Sequence, residues 1–85
     1  MNKYKNISAS GLIKTGAGSL AGVVINSHSS GTLKFWDNTS GATTVIFNTI
    51  TLAAGERYIE LGGIGFNTGL YLTIGGTADV TVIYR

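Results

Sequence analysis

The chain contains no cysteine and no proline, a single histidine, a single tryptophan, and few charges: Lys, Arg, Asp and Glu make up 12% of its 85 residues. Without cysteine there are no disulfide staples, no thiolate metal site and no thiol nucleophile. One histidine, His28, excludes the multi-histidine zinc constellations. No apolar run approaches the ~18 residues of a spanning helix. A membrane barrel of at least eight strands of roughly 9–11 residues would use the whole chain before any turn is built. Residues Met1–Ser10 include Lys3 and Lys5 but no apolar h-region, so no secretory signal peptide is read, and the protein is expected to act where it is made or to be carried out passively.

Charge scarcity has a consequence of its own. An ordinary soluble domain carries roughly 25% charged residues, whereas here the apolar share is 44% and the mean hydropathy is positive, +0.28. A short chain also buries only about 60–65% of its unfolded surface. The excess apolar surface therefore points to burial against other protein. Lys3, Lys5, Lys14, Lys34, Arg57 and Arg85 are dispersed, and the net charge is only +2. That is too sparse for a nucleic-acid stripe, leaving a Lys3/Lys5 arm as the only basic feature of that kind.

What is present is β patterning. Apolar residues alternate with polar ones, β-branched and aromatic residues are enriched, and no long 3.6-residue period occurs. The 13 glycines cluster with Ser, Asn and Thr between the apolar runs, where turns are expected. The reading in chain order is an extended arm over 1–10, then a domain over 11–85. Strands are expected at Leu12–Thr15, Ser19–Ser27, Thr32–Asp37, Thr44–Leu52, Arg57–Leu61, Ile64–Phe66, Leu70–Ile74 and Ala78–Tyr84. Turns are expected at Gly16–Gly18, His28–Gly31, Asn38–Gly41, Ala53–Gly55, Gly62-Gly63, Asn67–Gly69 and Gly75-Gly76. Leu70, Leu72 and Ile74 are expected to face the core, while Leu33 with Phe35, and Val80 with Val82 and Tyr84, are each expected to share one face of their strand. Thr44–Leu52 carries apolar residues on both faces, which predicts neighbours on both. The whole predicts an all-β fold with essentially no helix, a small antiparallel β-sandwich or jelly-roll-like barrel of about seven or eight short strands.

No chemistry-bearing pattern emerges. His28 falls in an expected solvent-exposed turn. Asp37, ahead of Asn38, reads as an Asx-type turn residue, Asp79 as a turn or strand-edge residue, and Glu56 and Glu60 as solvated partners of Arg57. The spacing of these acids does not demand a glycosidase pair. Gly16-Ala17-Gly18 is followed by a strand pattern, whereas a phosphate-cradling loop needs a helix. The triplets Asn6-Ile7-Ser8 and Asn38-Thr39-Ser40 matter only in a secretory pathway. The expectation is no enzyme, no catalytic residue, no cofactor, no metal and no small-molecule substrate. Trp36, Tyr58 and Tyr71 are the outward aromatics, suited to local packing, a protein interface or ligand stacking. With Lys3, Tyr4 and Lys5 of the arm they form the candidate interface set.

Three stretches carry a resemblance: Gly11–Asn26, with Lys14-Thr15-Gly16; Phe35-Trp36-Asp37-Asn38-Thr39-Ser40; and Asn67–Leu70 through Gly76-Thr77-Ala78-Asp79-Val80-Thr81-Val82-Ile83-Tyr84-Arg85. In order and spacing they resemble small all-β virion proteins of tailed bacteriophages, in particular capsid decoration (cement) proteins. The resemblance implies a homo-oligomer, often a trimer, seated on the capsid surface where capsomers meet and bridging major capsid proteins. It carries no active-site residue. Tail, neck and fibre proteins of phages reuse similar small sandwiches, and a carbohydrate-binding attachment domain is the rival reading. An enzyme using His28 would need that residue in a cleft beside Asp37, Glu56, Glu60 or Asp79.

Overall fold

The structure is a computed structural model describing residues 2–41, 43–55 and 57–85. Six strands follow one another: β1 (Lys3–Ile7), β2 (Gly11–Thr15), β3 (Gly18–Trp36), β4 (Val45–Thr51), β5 (Tyr58–Phe66) and β6 (Gly69–Tyr84). No helix occurs among the described residues, as the missing 3.6-residue period predicts. All pairings are antiparallel and belong to one sheet.

Two long strands organise that sheet. β3 pairs with β6 from Leu20↔Tyr84 to Trp36↔Tyr71. The N-terminal arm of β3 also pairs with β5, and its C-terminal arm with β4. The two arms of β6 divide in the same way, the C-terminal one pairing with β1 and the N-terminal one with β2. One set of neighbours therefore runs β1, β6, β3, β5, and the other β2, β6, β3, β4. No pair joins these outer strands to one another among the described residues, so the sheet is not closed.

Six strands replace the expected seven or eight because three of the expected turns are bends within strands. The expected turn at His28–Gly31 does not reverse the chain, and Ser19–Ser27 and Thr32–Asp37 are two arms of β3. Opposite that bend, Gly75-Gly76 lies inside β6. The ladder slips between Ile25 and Ser27 and again between Ser29 and Thr32, so β3 carries extra residues as bulges and bends without losing its partner. Gly76 is essential to this. Its φ is +68°, and a Cβ there would collide with the Ser30 carbonyl oxygen. The third expected turn, Gly62-Gly63, is also a bulge, since Leu61–Gly63 together oppose Ala21 within a continuous β5. The Asn38–Gly41 segment does reverse the chain, joining β3 to β4.

One apolar cluster gathers residues from both arms. Leu20, Val23, Ile25, Leu33 and Phe35 come from β3 and Leu70, Leu72, Val80 and Val82 from β6, joined by Ile13, Leu52, Leu61, Phe66 and Ala78. No polar or charged residue among those described is buried. Each fully buried Leu, Val or Phe contributes on the order of 1.5–3 kcal/mol. Ile74, expected in the core, and Tyr84, on the face of Val80 and Val82, are half-buried and pack against it. β4 departs from expectation in an instructive way. Its apolar residues do not separate onto two covered faces. Slips between Leu33/Phe35 and Phe35/Trp36 break its alternation, and Ile46, Phe47 and Ile50 all pack on the same core. Phe47 meets Phe35 edge to face, with ring centroids 6.4 Å apart.

Candidate interaction surface

The arm residues Lys3, Tyr4 and Lys5 lie in β1, an outer strand paired to the C-terminal arm of β6. Arg85 follows β6, and its Nε donates to Asn2 Oδ1 at 2.8 Å, while Arg85 and Ser19 exchange backbone hydrogen bonds. Lys5 Nζ donates to the Leu12 carbonyl at 2.9 Å, linking β1 to β2. Lys3 and Lys5 share a face of the ladder with Tyr84 and Val82, and Tyr4 faces the opposite way beside Ile83.

Tyr58 begins β5, the outer strand on the far side of the same four-strand set. Cross-strand registers align Tyr4, Ile83, Gly22 and Glu60 in one row and Asn6, Thr81, Val24 and Tyr58 in the next. The absence of a side chain at Gly22 lets the Tyr58 ring lie over the backbone, since a Cβ there would strike the phenol oxygen. Tyr58 also donates to Glu60 at 3.3 Å. Partial burial, then the Glu60 carboxylate, hold the phenol above its ordinary value.

The large exposed hydrophobic residues are Tyr4 (75%), Tyr58 (47%), Val45 (43%) and Ile64 (42%). Three of these lie on β1 and β5, the outer strands of a single set. Ile64 was not singled out by sequence reasoning. The available signal was its setting between Gly63 and Gly65, neighbours with no side chain to cover it.

Trp36 and Tyr71 are brought together elsewhere. They are cross-strand partners, and Leu12 and Val45 extend the row to Leu12, Tyr71, Trp36, Val45 across the second set. Both rings are half-buried. Trp36 Nε1 donates to Thr73 Oγ1 at 3.0 Å, Lys34 Nζ lies 4.5 Å from the centroid of the Trp36 ring, and Gly41 packs against the pair. The three aromatics thus do not form one stacking platform, because Tyr58 belongs to the other set.

The titratable residues differ from their sequence readings. Asp37 is a long-range clamp, accepting from the amides of Asn67 (3.0 Å), Thr68 (2.8 Å) and Gly69 (3.4 Å) at the β5–β6 turn. The local Asx-type bond to Thr39 comes from Asn38. The Thr68 amide above all holds the Asp37 carboxyl below its ordinary value, against partial desolvation and with help from Asn67 and Gly69. Asp79 lies within β6 and accepts from Asn6 and Asn26. Glu56 lies outside the described residues.

His28 is half-buried at the β3 bend. Nε2 lies 2.9 Å from the Ala53 carbonyl oxygen and Nδ1 accepts from Gly31 N, so the ring ties the bend to the segment after β4. It lines an open depression of about 610 Å³ with Asn26, Ser27, Ser30 and Arg57, and no described carboxylate lines it. Among the described residues, no three acidic or histidine side chains converge to hold a metal ion, and no helix is long and apolar enough to cross a membrane. No protein-family model, curated protein or solved structure matches the chain.

Proposed function

We propose that this chain is a non-enzymatic structural protein of a phage particle, a capsid decoration (cement) protein that self-associates and bridges major capsid proteins. The observation that carries this reading is the placement of Tyr4, Tyr58 and Ile64 on the two open edges of one four-strand set. Exposed apolar side chains beside unpaired backbone donors and acceptors are unfavourable in a lone molecule and favourable in an assembly.

Strand order gives further support. With the arms of β3 and β6 counted separately in chain order, the first set reads 1, 8, 3, 6 and the second 2, 7, 4, 5. We read this interleaving as a jelly-roll order of two packed four-stranded layers, an architecture used by viral capsid and lectin domains. We take the two sets as the layers and their shared apolar cluster as the filling. The arrangement would act by mass action, each contact stabilising only the folded, assembled form of a small domain. The second reading, a glycan-binding attachment domain, rests on Trp36 and Tyr71 lying side by side.

Immunogold labelling of the phage that encodes the chain, using antibody raised to the purified protein, tests the assignment. Label over the head shell is the expected result. Label confined to tail or fibres, or its absence from particles, contradicts it.

A further inference from the structure

We propose that the open edges of β1 and β5 are the two halves of one head-to-tail joint, through which copies of this chain continue the β1, β6, β3, β5 ladder from one molecule to the next. The inference rests on the self-association reading and names its surface and geometry.

Strand direction comes first. Each neighbour in the set is antiparallel, so β1 runs opposite to β5. A second copy in the same orientation therefore brings its β1 to the first copy's β5 as a further antiparallel strand. Without an axial offset, the rows already present align Tyr4 of one copy with Glu60 of the next and Asn6 with Tyr58. Neither row sets like charges opposite one another, which would destabilise an antiparallel ladder.

Charge selects this joint over its symmetric alternatives. The only charged residues within β1 are Lys3 and Lys5, and the only one within β5 is Glu60. Pairing β1 with β1 crowds lysines together, and pairing β5 with β5 brings Glu60 towards its copy, both unfavourable. The head-to-tail joint avoids both, because Lys3 and Lys5 lie on the face of the ladder opposite to Tyr4 and Glu60, and no like charges then stand opposite one another. The apolar residues divide to match, Tyr4 on one edge and Tyr58 and Ile64 on the other. A joint of two different surfaces closes into a ring or runs on as a filament, according to its rotation.

The absence of cysteine makes the test clean. Ser8 follows β1 and Arg57 precedes β5, both exposed, and the antiparallel joint brings them together. Ser8→Cys and Arg57→Cys are prepared separately, mixed, and treated with a short bis-maleimide. Cross-linked heterodimer in the mixture, with little dimer from either variant alone, is the expected result. The Ser8→Cys/Arg57→Cys double variant should then link into higher multiples. Separately, Tyr4→Glu, which sets a carboxylate opposite Glu60 on the same face, should weaken association on the order of fivefold, with recovery on adding Glu60→Lys. Efficient dimers from either single variant overturn the head-to-tail geometry. Oligomers in solution without mixed cross-links overturn the joint while leaving self-association intact. A protein that stays monomeric at all concentrations overturns self-association itself.

Discussion

Replacing Asp37 with alanine removes the acceptor that three backbone amides of the β5–β6 turn share, at 2.8 to 3.4 Å. Asp37 follows β3, so the clamp ties the turn at one end of β6 to the loop leading into β4. A hydrogen bond to a charged acceptor contributes about 1.5–3 kcal/mol where water is excluded. Here water can solvate the freed amides, so the three together should total about 2 kcal/mol rather than the sum of three buried bonds. For a domain of this size that lowers the Tm by roughly 10 °C. Asp37→Asn keeps an acceptor oxygen but loses its charge, and should cost about half as much. The pH dependence has a definite sign. The folded-state value lies below the ordinary one of about 3.9, so the stabilisation is complete above about pH 4 and is lost as pH falls through the folded-state value. Urea unfolding followed by Trp36 emission should therefore show the gap between wild type and Asp37→Ala narrowing in acid. A gap under about 0.5 kcal/mol at neutral pH, or one that does not narrow in acid, refutes the clamp.

Other perturbations test the remaining fold and surface. Gly76→Ala forces a side chain onto φ +68° and into the Ser30 carbonyl; it should cost about 2 kcal/mol or more in urea unfolding, and a neutral result would mean the β6 bend relaxes freely. Phe35→Ala empties a fully buried site at the centre of the second set, and a loss of about 3–5 kcal/mol should leave a domain this small largely unfolded by circular dichroism. In an absorbance titration Tyr58 should ionise above the ordinary tyrosine range, and Glu60→Gln should bring it down.

Much of the fold was legible in the residues because period-2 alternation reports directly which side chains share a face. Leu70 and Leu72 were legible as core-facing, and Leu33 with Phe35 and Val80 with Val82 as pairs sharing one face; all six are buried. Strand continuity was not legible. His28–Gly31 and Gly75-Gly76 have turn chemistry, and the same backbone freedom that reverses a chain also lets two long strands bend together when each remains the other's partner. The apolar residues of β4 misled for a related reason, since a bulge rotates consecutive side chains onto one face. Asp37 escaped local reading because its partners lie some 30 residues away. Of the candidate surface, Tyr4 and Tyr58 were visible as aromatics in strand patterns. That they flank opposite edges of one four-strand set depends on pairings distant in sequence.

The most direct test of the account is sedimentation velocity of the purified chain over a wide concentration range, beside a Tyr4→Ser/Tyr58→Ser/Ile64→Ser variant. All three substituted side chains are exposed, so the variant should keep the wild-type Trp36 emission and circular dichroism. Wild type is expected to self-associate with rising concentration, and the folded variant to remain monomeric. A monomeric wild type, or a variant that assembles as well as wild type, would contradict the claim that these edges are the working surface of the protein.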